Sequence, residues 1–317
     1  MIMKYCLIIF LLLTVSVVRA QYNQGNLSLD EAETVSAHQY LNLKLYPIRA
    51  KDSFFKAHKD VGRYTTLGQA LKNEGIVISE TGTSSNSGTV NELYIQNVSA
   101  DTIMILSGEV VQGGKQDRMI AQDVVLYPGT GKTKVQVYCV EHGRWQANGD
   151  GGNFKNYYSL SSNEVRKAGT VTKNQQEVWK KVADATSKNA AGSRTGTLAA
   201  LKSSESFSAD LKKYADYFQK ILINEPDVIG FVAVSGDRIL GCDMFATHAM
   251  FADHYAELVN SYATEAITSG KPATVKHEEV NQYLLLIISD EQKQDAEIEK
   301  KGTQLKERNK KLHISTF

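Results

Sequence analysis

The chain sets Lys115, Gln116, Asp117 and Arg118 in succession directly behind the pair Gly113-Gly114, in the stretch SGEVVQGGKQDRM. Two cations with an amide between them can grip an anion from more than one side, and the glycines let a ligand or another chain approach the backbone. A second stretch, KVQVYCVEHGRW, brings further candidates. Val135, Val137 and Cys139 share one face of an alternating strand, and the same parity reaches Glu141, with Arg144 and Trp145 just beyond. A carboxylate at the core-facing end of a strand requires a partner, because an unpaired buried charge is costly. Lys115, Arg118 and Arg144 are the available partners, and the Trp145 indole can cover them. Two readings stay open. One is a structural knot that fixes a sheet end through Arg–Glu pairs. The other is a polar cleft in which Lys115, Gln116, Arg118, Arg144 and Trp145 bind an anionic ligand, with Glu109 or Glu141 as proton acceptor.

Other chemistries fail on spacing. Gly131-Lys132-Thr133 has the ending of a nucleotide-binding loop, but the motif needs glycine at 126, where the chain has Leu126, and then a helix. The run KVQVYCV instead alternates like a strand. His248 and His254 are too far apart on a predicted helix to share a face, and alternation sends His142 away from Cys139 and Glu141. Ser235 and Asp237 belong to a hairpin turn rather than to a triad. These patterns predict no metal and no cofactor.

The surrounding elements must position the candidates. HQYLNLKLYPI, GIVISE, TVNELYIQNVS, DTIMILSGEVV, MIAQDVVLYPG and KTKVQVYCVE read as short strands separated by turn signals. DTIMILSGEVV is apolar on both faces and reads as a central, covered strand. Together they predict an antiparallel β-rich part over about 38–145, a sandwich or partial barrel. Gly, Asn and Ser dominate 146–173, which predicts a flexible loop able to lay Phe154, Tyr157 and Tyr158 over the cluster. The remainder, 174–317, reads as helix-rich with one hairpin. QQEVWKKVADAT and SADLKKYADYFQKILI carry helical stripes, the second with Ser208 or Asp210 as cap. VIGFVAVSGDRILGCDMF is the hairpin, and Thr247 caps a long buried helix after it. Strands first and mostly helices afterwards predict the α+β class, as one domain over 21–317.

At GEVVQGGKQDRMI and VYCVEHGRW the chain resembles a known bacterial family, the ARG and Rhodanese-Phosphatase-superfamily-associated Protein domain, found in exported proteins without assigned activity. QQEVWKKV and GFVAVSGDRILGCDMF extend the resemblance from about residue 40 to the end, which implies one continuous domain. In that family the residue before Gly-Arg-Trp is commonly an amide or Arg. Here it is His142, to which the resemblance assigns no role. It supplies no substrate either, since family membership alone does not give an activity.

The opening MIMKYCLIIFLLLTVSVVRA has the basic residue, apolar run and small residues of a secretory signal peptide over 1–20, cleaved near Ala20. It predicts an exported protein, periplasmic or extracellular. No later run is long and apolar enough to span a membrane. The 36 Lys and Arg nearly balance 35 Asp and Glu, which speaks against a general nucleic-acid binder. Beyond the leader only Cys139 and Cys242 remain, either bridged in an oxidising compartment or present as two buried thiols. The reading that results is an exported binding or interaction module for an anionic ligand or a protein partner. The alternative is a hydrolase or transferase on an anionic substrate, with a Lys115 and Arg118 clamp, Gln116 orienting the substrate, and Glu109 or Glu141 as base.

Overall fold

In the computed structural model, which describes residues 21–30, 37–82, 90–146 and 152–317, every residue of the strand Val228–Ser235 is buried. Its apolar run VIGFVAVS is suited only to a sheet covered on both faces. That sheet has seven strands. Its order is Leu27–Leu29, Leu43–Ala50, Val228–Ser235, Arg238–Phe245, Lys310–Thr316, Gly302–Glu307, with Gln39–Tyr40 also on Leu43–Ala50. One face packs Phe231, Ala233 and Phe245 against the helices His248–Ser269 and Glu205–Phe218. The other packs Val232, Val234 and Met244 against His277–Ile287 and Glu291–Lys301. Thr247 caps the long helix as expected, its hydroxyl accepting the Met250 amide. Helix Glu205–Phe218 starts earlier than its stripe suggested, with Ser204 as cap in place of Ser208 or Asp210.

Between these sheet strands the chain forms a closed antiparallel barrel. Its strands run in the order Thr133–Cys139, Glu92–Asn97, Ile76–Glu80, Asn153–Leu160, Glu109–Gly113, Arg118–Ile120, and the last pairs with the first. Ile78, Leu93, Ile95, Val111, Val137 and Phe154 fill it. Closure leaves the barrel itself without a free edge. The class is α+β, as the order of patterns predicted.

Three expectations are corrected. DTIMILSGEVV is not one strand. It divides into Ile103–Ile105, which joins a small sheet with Thr65–Thr66 and Val124–Leu126, and Glu109–Gly113 in the barrel. The division falls at Gly108, whose φ of +96° suits glycine and whose amide donates to the Ile120 carbonyl at 2.8 Å. The 146–173 segment is not a flexible loop either, because Asn153–Leu160 is a barrel strand and Asn163–Thr170 a helix. Register shifts between Phe154 and Asn156 and between Tyr157 and Ser159 interrupt the alternation that would have revealed the strand. Phe154 and Tyr158 are core residues, not a cover. Residues 147–151 of that stretch, like the leader 1–20, lie outside the described residues. Finally, Cys139 and Cys242 are both free and buried. Cys139 ends a barrel strand while Cys242 sits inside the seven-stranded sheet, so the two thiols belong to separate layers and form no bridge.

A buried polar knot joins barrel and sheet. Asp243, on the sheet, accepts from Arg166 Nη1 and Nη2 at 3.1 and 2.9 Å and from Tyr262 Oη at 2.7 Å. Arg166 rises from the helix behind the barrel strand, and its stem fills the space beside Gly108, where a Cβ would meet Cγ at 2.5 Å. His313 lies between two carboxylates, with Nδ1 2.6 Å from Asp123 and Nε2 3.0 Å from Asp243. Burial opposes the imidazolium charge, but the Asp123 and Asp243 carboxylates outweigh it and push the His313 pKa up to about 9.

The sign of the resulting pH dependence is fixed. The folded state holds the His313 proton more tightly than an unfolded chain with a pKa near ~6.5, so its contribution is complete below that pH. It is lost as pH rises through about 9. Burial also pushes Glu109 up to about 8, so stability falls in the same direction as that carboxyl ionises. Urea midpoints should therefore decline from pH 6 to 10. Above pH 8 His313 shares the slope with the buried thiols Cys139 and Cys242, whose pKa values burial raises, so the decline should become shallower in His313→Gln without disappearing. A shift of this size is worth on the order of 3 kcal/mol.

Candidate functional site

Strands Glu109–Gly113 and Arg118–Ile120 are barrel neighbours, and the turn between them carries Gly114, Lys115, Gln116 and Asp117. Gly114 has φ +50°, and a Cβ there would strike the Phe154 ring and come within 2.8 Å of Glu80 Oε1. The turn is thus pressed onto the barrel core. Cys139 stands opposite Arg118 across the next pairing, so the chain leaving that strand passes beside the turn. Glu141 Oε2 accepts the Asp117 amide at 3.0 Å. Arg144 closes the arrangement: Nε donates to Glu141 Oε2 at 2.9 Å, Nη1 to the Gly114 carbonyl at 2.8 Å, and Nη2 to Asp117 Oδ1 at 3.2 Å.

The carboxyls of this group are not equivalent. Burial opposes ionisation of Glu141, but hydrogen bonds from Arg144, Thr195 and the Asp117 amide outweigh it and hold its pKa below the ordinary value. Glu141 is therefore an ionised anchor with its lone pairs occupied. Asp117 is pushed up, first by burial and then by the neighbouring Glu141, although the Thr197 hydroxyl donates to it at 2.7 Å.

Arg118 is the exception in this otherwise satisfied network. Its side chain is fully buried, and Nη1 donates to Gln116 Oε1 at 3.0 Å. Nε and Nη2 have no hydrogen-bond partner. Glu80 Oε1 lies 3.7 Å from Nη2, beyond hydrogen-bond reach, and accepts the Lys115 amide at 2.8 Å instead. Nε and Nη2 form the side-on fork of a guanidinium, the edge that matches the two oxygens of a carboxylate. Unpaired buried donors are rare and cost about 1–3 kcal/mol each. Trp145, 44 % exposed, covers the group, with the Arg118 Cζ at 5.8 Å and the Lys115 Nζ at 5.2 Å from its ring.

The structure thus brings together Lys115, Gln116, Arg118, Glu141, Arg144 and Trp145 as their parity and spacing suggested. It leaves Glu109 out. That carboxyl accepts the Leu106 amide at 2.8 Å and the Tyr157 hydroxyl at 3.2 Å and shares no hydrogen bond with the cluster. The turn at Gly108 redirects it, so its sequence proximity to Lys115 was misleading. Glu80 was missed, although it ends the strand of the apolar run GIVISE on the core-facing parity, as Glu141 continues the parity of its strand two residues past Cys139, and the same reasoning finds both. Thr197 reaches the cluster through an isolated bridge to Glu141, for which the sequence offers no signal. The residues after Gly131-Lys132 form a barrel strand, so no helix N-terminus faces that turn. Among the described residues no group of three or more His, Cys, Asp or Glu is placed to hold a metal ion, and no helix is long and apolar enough to cross a membrane.

A family model, that of the ARG and Rhodanese-Phosphatase-superfamily-associated Protein domain, matches residues 31–316. The chain belongs to that family. The match spans the barrel, the connecting helices and all of the seven-stranded sheet except the strand Leu27–Leu29, so the family's domain includes both the Arg118 cluster and the buried Asp243 knot. Neither the curated proteins nor the solved structures compared with the chain gave a match.

Proposed function

We propose that the protein is an exported binding module that captures the carboxylate of a ligand on the Nε and Nη2 edge of Arg118, beneath Trp145. The unused fork of a fully buried guanidinium carries this reading. The balance of charge supports the class of ligand. Arg118 pairs with Glu80 and Arg144 with Asp117 and Glu141, and Lys115 adds a third cation over Trp145, so formal charges balance, and Asp117 retains its proton more readily than a free carboxyl. A planar monoanion disturbs that balance least, whereas a phosphate dianion would meet three acidic neighbours. Trp145 then serves as a lid and gives the rest of the ligand an aromatic surface.

The rival reading, a hydrolase or transferase with Glu109 or Glu141 as base, has less behind it. Glu141 is tied up by Arg144, and Glu109 lies outside the cluster. The test tracks the Arg118 Nε–H resonance by NMR while acetate or inorganic phosphate is added. Acetate should move it and phosphate should not, and Arg118→Lys should abolish acetate binding in a folded protein. Trp145→Ala should weaken binding about tenfold, the loss of one good aromatic or charge-assisted contact. Folded variants that bind acetate as the parent does would end the proposal. The export half is checked by finding Gln21 at the N-terminus of protein recovered outside the cytoplasm.

A further inference from the structure

A groove of about 390 Å³ opens where the small three-stranded sheet meets the last hairpin of the seven-stranded sheet. It shares no lining residue with the Arg118 cluster, and its volume falls in the range of roughly 300–1,000 Å³ for small-ligand sites. One wall is the segment 60–64, which leads into the strand Thr65–Thr66. The Thr65 amide donates to the Thr102 carbonyl at 2.9 Å and so fixes the end of that wall. Tyr127, directly after the strand Val124–Leu126, stands near Tyr64. The opposite wall is the turn Glu307-Arg308-Asn309-Lys310, which joins Gly302–Glu307 to Lys310–Thr316.

The tip of that turn holds an arginine where the backbone disfavours one. Arg308 has φ +47° and Asn309 +64°, the left-handed pair for which two-residue hairpins ordinarily use Asn-Gly. Such positions persist where the surroundings over-determine them, and they gather at ligand clamps. Here the tip is tied from several sides. The Asn309 carbonyl accepts from Gln21 Nε2, and the Lys310 ammonium donates to the Ala57 carbonyl and lies 3.3 Å from Asp60. The Arg308 guanidinium rests over the Tyr127 ring, with Cζ 5.0 Å from its centroid. Its Nε is 3.8 Å from Glu307, beyond hydrogen-bond reach, and Glu307 accepts from the Tyr127 hydroxyl instead. Arg63 lines the same groove. Among the described residues neither the Arg63 nor the Arg308 guanidinium makes a hydrogen bond.

The lining selects a ligand by charge and by hydrogen bonding together. Three cations, Arg63, Arg308 and Lys310, meet two carboxylates, Asp60 and Glu307, which leaves one surplus positive charge. One anionic group neutralises that surplus, whereas a dianion would reverse it beside two carboxylates. Glu307 keeps one oxygen without a hydrogen bond, and so do the Tyr64 and Thr102 hydroxyls, so acceptors and donors await a ligand with several hydroxyl groups. The Tyr64 and Tyr127 rings offer apolar faces to its C–H groups. We propose that this groove is a second ligand site, which binds a sugar acid with a single carboxylate. The Arg63 and Arg308 guanidiniums hold that carboxylate, Glu307, Tyr64 and Thr102 meet the hydroxyls, and the sugar ring lies against the tyrosines. No covalent bond changes.

The probe is glucuronate, titrated into the full chain while the ring resonances of Tyr64 and Tyr127 are followed by NMR. Glucose is its uncharged counterpart, and acetate and inorganic phosphate supply the charge without the sugar. Glucuronate should move both rings to saturation. Glucose should bind at least about tenfold more weakly, for want of the charge-assisted pair with arginine, and acetate and phosphate should not saturate the rings. Arg63→Ala and Arg308→Asn should each weaken glucuronate binding about tenfold or more. Asparagine tolerates the left-handed backbone, so Arg308→Asn removes the guanidinium and keeps the turn. Arg118→Lys separates this groove from the Arg118 cluster and should leave the tyrosine shifts as they are in the parent. Absence of saturable shifts, equal affinity for glucose or for phosphate, loss of the shifts in Arg118→Lys, or unaffected binding in folded Arg63→Ala and Arg308→Asn would overturn the proposal.

Discussion

Asp243→Asn should lower the stability of the folded protein by about 3–5 kcal/mol, the range for breaking a buried ion pair from one side. The carboxylate accepts from Arg166 twice, from Tyr262 and from His313, and an amide of the same shape offers only one oxygen to those donors. Its nitrogen would point a donor at other donors, while the buried Arg166 guanidinium keeps its charge. Burial opposes ionisation of Asp243, yet Arg166 and His313 hold its pKa well below the usual carboxylate range, so the charge being removed is fully present at neutral pH. The measurement is the urea midpoint at pH 7, with the slope unchanged if the unfolding remains two-state. A loss under ~1 kcal/mol, the net worth of an ordinary hydrogen bond, would mean that the knot is relaxed in solution.

Gly114→Ala should be nearly as harmful, for a steric reason. At φ +50° an alanine is strained by about 1–2 kcal/mol, and overpacking adds about 1–3 kcal/mol where the neighbours cannot move. The first neighbour met is the Phe154 ring, 2 % exposed inside the barrel and therefore held on all sides. The next is Glu80 Oε1, which accepts the Lys115 amide. The substitution should lower the melting temperature and also shift the Arg118 Nε–H resonance, because the turn that carries the cluster must move. Gly129→Ala is the control, since no heavy atom lies within 4 Å of a Cβ at that turn although its φ is also positive. Equal losses at the two positions would show that backbone strain alone is at work and that the Phe154 contact is not tight.

The sequence showed strongly where period and burial coincide. Val228–Ser235 is buried throughout, as its unbroken apolar run required, and Glu141 was found because strand parity carries past Cys139 to the first charged residue. Thr247 was legible as a cap because its chemistry is local. The failures have equally local causes. Asn153–Leu160 was hidden by two register shifts within eight residues, which destroy the alternation that identifies a strand. Glu109 was assigned to the wrong neighbourhood because Gly108 turns the chain inside what looked like one strand. The Asp123–His313 contact spans 190 residues, and nothing in either segment announces the other. The edge of Arg118 that makes no hydrogen bond is a property of geometry, so the sequence could nominate the residue without showing that two of its three nitrogens lack an acceptor.

The seven-stranded sheet also sets an order of assembly in time. The barrel closes within one continuous stretch, from the strand Ile76–Glu80 to the strand Asn153–Leu160. Leu43–Ala50, however, pairs with Val228–Ser235, and Arg238–Phe245 pairs with Lys310–Thr316 near the end of the chain. Contacts this distant in sequence carry a loop-closure cost before they return any stabilisation, and folds dominated by them are slow. The barrel is therefore the early unit. Until the last hairpin arrives, Arg238–Phe245 presents an open edge and Asp243 lacks His313, so the chain passes through a period in which its half-built sheet is exposed to pairing with its own copies.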